Sequence, residues 1–279
     1  MAIIPPCHGE DAGSIPVTCS KSKPEELIIS SFFYKRQKQM NKIKCLSNNT
    51  LKIIACISMF FDHFGFLIFP NKIIYRVIGR LAFPIFAYMI AEGSFYTKNK
   101  TKHLLIIGWL GIIMQIVLYY FTGMQDFSIF IHFTFSIILI RLFDYFIDNI
   151  KQKKYILSVL GILTFILLTG SLYYLTENTP YFFMNYGFTG IMLPVVIYLI
   201  KRYIPKFKNL IIFISMIVII YLTARKLALP INNIGIISVL LLQLYNGKRG
   251  KLKLKYFFYL FYPLHFVVIY GISLLLTMF

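Results

Sequence analysis

LKIIACISMFFDHFGFLIFP, residues 51–70, is a run of twenty residues whose only charged or histidine residues are Lys52 near its start and the adjacent pair Asp62 and His63 beyond its middle. A hydrocarbon core about 30 Å thick needs roughly 20 apolar residues per helix, so this stretch has the length and composition of a membrane crossing. Eight further apolar runs follow, at 73–95, 103–121, 127–147, 155–175, 181–200, 209–224, 230–245 and 256–278. The run at 230–245 is short enough to be tilted, half-inserted or covered by its neighbours, which leaves a count of nine spans or eight. The predicted fold is an all-α polytopic bundle. Its composition excludes a soluble globular domain: 14% of the residues are charged and 58% hydrophobic, with a mean hydropathy of +0.72.

The chain has 29 Lys and Arg against 10 Asp and Glu, a net charge of +19. Such an excess suggests nucleic acid only when the cations gather on one polar face, whereas here they sit in short clusters between apolar runs. With the N-terminus inside, the inner segments 1–50, 96–102, 148–154, 201–208 and 246–255 hold 22 of the 29 cations. The outer loops hold only Lys72, Arg225 and Lys226. Basic residues accumulate on the cytoplasmic side of membrane proteins, so the predicted topology is N-in and C-out in the cell membrane, with a basic inner surface in contact with anionic lipid. No nucleic-acid partner is expected.

Ionisable groups inside hydrocarbon are costly and mark candidate sites. Neighbouring positions on a helix diverge by about 100°, so Asp62 does not stack on His63 and instead calls for a cation from another helix. In the second span, YRVIGRLAFPIF (75–86), Arg76 and Arg80 lie four residues apart on one face. Gly79 permits close backbone approach there, and Pro84 removes a helical hydrogen bond. Glu92 follows toward the inner end of that span, and His103 falls after it, at the interface. His132 starts the fourth span near the outer face, Asn185 and Tyr186 open the sixth, and His265 lies in the ninth within FFYLFYPLHFVV (257–268). Arg141, Asp144 and Asp148 near the inner end of the fourth span read as snorkelling groups. Asp62, His63, Arg80, Glu92 and His265 are expected to line one polar cavity. A purely structural Asp62–Arg80 lock is the plainer alternative. No G-x-S-x-G, P-loop or H-E-x-x-H motif is present, and Cys7, Cys19, Cys45 and Cys56 lack metal-ligand spacing, so no metal is expected.

The blocks LKIIACISMFFDHFG (51–65), YRVIGRLAFPIFAYMIAEGSFYTKNK (75–100), NYGFTGIMLPV (185–195) and YNGKRGKLKLKYFFYLFYPLHFVVIY (245–270) together resemble the TraX family of multi-pass membrane proteins. That family is similar to larger integral-membrane acyltransferases, including heparan-type glucosaminide N-acetyltransferases, which carry acetyl from cytoplasmic acetyl-CoA to an acceptor across the membrane. The resemblance implies acetyl-CoA as donor, with an amine or hydroxyl acceptor that is a glycan, lipid or protein. Where relatives are expected to read Asp-Tyr-Gly, this chain has Asn185-Tyr186-Gly187, so no carboxylate role transfers to that position.

Acyl transfer suits these residue types, because histidine can take the acceptor's proton or accept the acyl group covalently. On this reading His63 is the first candidate base, Asp62 orients or charge-stabilises it, and His265 is the alternative base. Arg76, Arg80, Glu92, Asn185 and Tyr186 bind substrate. Two other classes stay open: a proton-coupled transporter, against which the absence of an inverted repeat counts weakly, and a noncatalytic assembly protein whose ion pairs are structural.

Residues 51–279 form a single transmembrane domain, preceded by a basic tail. Residues 1–31 contain Pro5, Pro6, Pro16 and Pro24 and no signal-peptide core. They read either as a disordered cytoplasmic tail or as an upstream extension, with Met40 as the working start. The intact mass of natively expressed protein separates the two, since a mass that includes residues 1–39 excludes a start at Met40.

Overall fold

The computed structural model describes residues 44–123, 126–179, 182, 184–204, 207–226 and 230–278, and these are helical throughout, with only two isolated β-bridges and no strand. The helices are α1 (Asn48–Leu67), α2 (Ile73–Gly79), α3 (Ala82–Tyr96), α4 (Lys100–Thr122), α5 (Ile129–Lys151), α6 (Tyr155–Asn178), α7 (Gly187–Tyr203), α8 (Lys208–Lys226), α9 (Ile237–Gln243) and α10 (Lys255–Met278). Taking α2 and α3 as one broken crossing, seven helices are long and apolar enough to span a membrane. The seventeen-residue α7 falls short of that length. The run expected at 230–245 is a 3-10 segment, Pro230–Ile236, followed by α9.

Local chemistry sets these boundaries. The Ser47 hydroxyl accepts from the Thr50 amide at 3.2 Å and starts α1 three residues before the expected position. The Asn99 side chain caps α4 in the same way, accepting from the Lys102 amide at 2.8 Å. Gly123 ends α4 in the left-handed conformation at φ 64°. The second span breaks at Arg80–Leu81 because Pro84 has no N–H for the Arg80 carbonyl. Gly235 of the 3-10 segment lies against that carbonyl, where an added Cβ would sit 3.2 Å from the oxygen.

α3 is the hub. Every residue from Ala82 to Glu92 is buried, and the helix packs on α1 and α7, with further contacts to α5 and α9. A helix apolar on all sides belongs in the interior of a bundle. α6 is its opposite, with Ile156 and Leu167 each more than 70% exposed, as befits a face solvated by lipid. Side-chain hydroxyls stitch the interior: Ser58 donates to the Ile78 carbonyl at 3.0 Å, and Ser136 to the Ile191 carbonyl at 2.7 Å. Such bonds supply specificity where lipid and protein are equally apolar.

At the end carrying the basic loops, the chain before α1 docks on the segment after α9. The Leu46 amide donates to the Leu244 carbonyl at 3.0 Å, and the Asn49 side chain donates to the Leu252 carbonyl at 2.6 Å. Asp144 does not snorkel. It is 3% exposed and accepts from Lys100 at 2.6 Å and from the Tyr198 hydroxyl at 2.7 Å, with Arg202 at 3.5 Å, so neighbouring cations reach it inside the bundle.

A side chain at Gly79 would run into the Asp62 carboxylate, while one at Gly170 would meet nothing within 4 Å. Gly79→Ala is therefore expected to destabilise the protein by about 1–3 kcal/mol, and Gly170→Ala to leave it unchanged or slightly firmer. Thermal unfolding of both variants in detergent measures the contrast.

Candidate functional site: two cavities in series

Asp62 points from α1 at α2, where both arginines meet it. Arg80 donates to Oδ1 at 2.6 Å and Arg76 to Oδ2 at 3.1 Å. Arg80 also donates to Asn232 Oδ1 of the 3-10 segment at 3.0 Å. The i and i+4 spacing of the two arginines, with Gly79 between them, is what lets one carboxylate take both. Two guanidiniums against one carboxylate leave the cluster with a net positive charge.

His63 turns away from Asp62, as the 100° step requires, and meets α10. Its Nδ1 lies 2.9 Å from His265 Nε2, and His265 Nδ1 lies 3.1 Å from the Phe261 carbonyl. A carbonyl oxygen only accepts, so with both rings neutral His265 carries its proton on Nδ1 and presents a lone pair at Nε2. His63 must then donate from Nδ1, which leaves its own Nε2 with a free lone pair. Ring packing fixes this arrangement, with Phe266 4.5 Å from the His63 ring and Phe261 stacked on His265 at 5.5 Å.

His63, Asp62, Arg76, Arg80, His132, Asn185 and Tyr186 border one cavity of about 250 Å³. Phe83 stacks on Tyr186 at 3.8 Å and forms part of the wall. His265 borders neither this cavity nor the next and meets the first only through its contact with His63. His132 is fully buried, 3.3 Å from the Ser128 carbonyl through Nδ1, and its Nε2 has no partner. Asp126, which the sequence did not single out, also borders the cavity, and partial burial raises its carboxyl above the usual range. Gln115 holds this loop by donating to the Asp126 carbonyl at 3.1 Å and accepting from the Ser128 amide at 2.9 Å.

Glu92 does not join this group. It borders a second cavity, of about 580 Å³, at the end of the bundle that carries the basic loops. There Glu92 pairs with Lys201 and accepts from the Tyr245 hydroxyl at 3.2 Å. Lys52, Arg249 and Asn48 share its wall, and so does His103, which lies in the first turn of α4 rather than in a free interfacial loop. The single chamber expected from the sequence is thus two chambers in series, because aromatic side chains occupy the middle of the bundle. Phe86, Phe130 and Tyr262 border both. The Phe130 and Tyr262 rings meet edge to face at 4.3 Å, and Phe86 lies 5.5 Å from Tyr262.

A bundle of apolar helices with a charge cluster and a histidine pair in its interior defines a multi-pass membrane protein with a built internal site. The family described as TraX protein matches residues 47–273, which covers every residue of both cavities, and the chain belongs to that family. It is similar to a probable fimbrial assembly protein, FimC of serogroup H1, from Dichelobacter nodosus, with 24% identity over 241 residues, 78% of this chain and 92% of that protein. It is also 41% identical over 66 residues to an uncharacterized protein of Rickettsia prowazekii (strain Madrid E), a match that spans 24% of this chain and only 25% of that one. No solved structure matches.

Removing one partner of a buried ion pair strands the other charge, at a cost of roughly 3–5 kcal/mol. Arg80, 10% exposed and at 2.6 Å, is expected to show this loss, and Arg76, 33% exposed and at 3.1 Å, to show much less. Unfolding midpoints of Arg80→Ala and Arg76→Ala test the order. Equal losses would show that the two arginines hold Asp62 alike.

Proposed function

We propose that this protein is an integral-membrane acyltransferase that moves a short acyl group, acetyl in the simplest case, from a CoA-type thioester to an amine or hydroxyl acceptor. The observation that carries this reading is the free Nε2 lone pair of His63, held by His265 at the wall of a cavity that abuts a basic one. The acceptor N–H or O–H attacks the thioester carbonyl carbon while His63 Nε2 takes its proton. The tetrahedral intermediate collapses, the C–S bond breaks, and His63 returns the proton to the departing thiolate. His265 is a positioning residue that fixes the tautomer of His63. Asp62 is held by Arg76 and Arg80 and contributes charge and rigidity instead of orienting the imidazole.

The donor belongs in the larger cavity, where Lys52 and Arg249 attract its phosphates. The acceptor enters the smaller one, past Asn185 and Tyr186. This arrangement fits an N-in, C-out topology in the cell membrane, with the basic loops and the donor on the cytoplasmic side, anionic lipid around them, and transfer directed across the bilayer. A proton-coupled transporter fits less well: His265 Nδ1 ends on a backbone carbonyl, which does not relay a proton onward. The name of the Dichelobacter relative supports a second reading, that this protein serves fimbrial assembly. Acylation of an assembly component would unite the two.

The test is thiol release from acetyl-CoA by the purified protein in proteoliposomes, with glucosamine or a free peptide amine as acceptor. Donor on the side of the basic loops is expected to support turnover, and His63→Ala to lower it by roughly 10²- to 10⁴-fold while the protein stays folded. No release above protein-free vesicles, or full activity in His63→Ala, would leave the noncatalytic assembly reading standing.

A further inference from the structure

The neck between the two cavities contains a polar atom with no assigned task. Tyr262 is 7% exposed, and its ring fills the junction against Phe86 and Phe130. Its hydroxyl makes no hydrogen bond to any described residue, yet it is not sealed from free space as the unpartnered Ser94 Oγ, His132 Nε2 and Asn233 Oδ1 are among the described residues. A hydroxyl without a protein partner that is not sealed must meet free space, and the free space Tyr262 borders is the two cavities. A buried tyrosine hydroxyl ordinarily finds a partner. This one is left open at the junction that a donor must reach.

Its place along α10 gives it a partner of defined chemistry. Tyr262 precedes His265 by three residues and Phe266 by four, so the three lie along one side of the helix. His265 bonds His63, and Phe266 packs on the His63 ring. Tyr262 thus sits about one helical turn from His265, toward the end of α10 that follows the basic loop. A thioester arriving from the basic cavity brings its carbonyl to this level as it approaches His63.

We propose that Tyr262 is a catalytic residue whose hydroxyl donates a hydrogen bond to the thioester carbonyl oxygen and to the oxyanion that forms there. This inference rests on the acyl-transfer reading above. When the acceptor attacks, the carbonyl π pair moves onto oxygen, and the Tyr262 O–H stabilises that charge without giving up its proton. Collapse restores the C=O bond and expels the thiolate, which takes the proton held on His63. A donor fixed beforehand at the position of the developing charge, in a site with little water, stabilises the transition state more than the ground state. Arg76 and Arg80 are the obvious cations for this task, but both are spent on Asp62.

Tyr262→Phe keeps the ring and removes only the hydroxyl. Because that hydroxyl bonds no described residue, the unfolding midpoint is expected to match the wild type. In proteoliposomes supplied with acetyl-CoA, kcat is expected to fall by about 10²-fold, as for loss of one oxyanion donor, while KM for acetyl-CoA stays within about threefold, since the interaction strengthens only in the transition state. A kcat within threefold of wild type would overturn the assignment. So would a lowered midpoint, which would make the hydroxyl structural, or a rise in KM that accounts for the whole loss. Absence of thiol release by the wild-type protein is a different result, because it removes the acyl-transfer reading itself and this inference with it.

Discussion

A carboxylate within an apolar bundle survives as an anion only if cations come to it, and the contact of Asp62 with Arg76 and Arg80 meets that demand. The geometry around it is heavily constrained. Gly79 must lack a side chain so that α1 and α2 approach closely enough, the arginines must stand one turn apart, and Asn232 takes a further N–H of the Arg80 guanidinium. The same contact sets the azimuth of α1. Once Asp62 faces α2, the next residue is turned by about 100°, and His63 is delivered to α10.

The site therefore divides two tasks between adjacent residues. Asp62 organises charge and never touches His63, while orientation of the imidazole falls to a second imidazole whose own proton is fixed by a backbone carbonyl. Such a pair carries no net charge in its neutral form, which suits a position inside hydrocarbon better than an Asp–His pair would. The aromatic neck extends the division of labour along the membrane normal. Lys52 and Arg249 border the larger cavity beside the basic loops, and the His63 lone pair belongs to the smaller.

Much of this was legible in the sequence. The cost of burying charge singled out Asp62, Arg80 and His63, and i, i+4 spacing placed both arginines on one face. The sequence-based expectation failed where depth, packing or distant pairing decided the outcome. Glu92 lies 12 residues beyond Arg80, about 18 Å along a helix, and so belongs to the opposite end of the bundle and to another cavity. Asp144 looked like an end-of-helix group because its partners, Lys100, Tyr198 and Arg202, come from other parts of the chain. The 230–245 run showed its shortness but not its 3-10 half, where Gly235 lies against the carbonyl freed by Pro84. Tyr262 carried no signal of its own, since tyrosines are common in this chain and only the packing places this one between the two cavities.

The histidine pair joins residues 202 positions apart, one on the first described helix and the other on the last. A chain is synthesised and inserted from its N-terminus, so His63 enters the bilayer long before its tautomer can be fixed. The nascent protein thus pairs its carboxylate with cations early and its imidazole with a second imidazole late. The interior is complete only when translation has reached the final described helix and that helix has closed against the first.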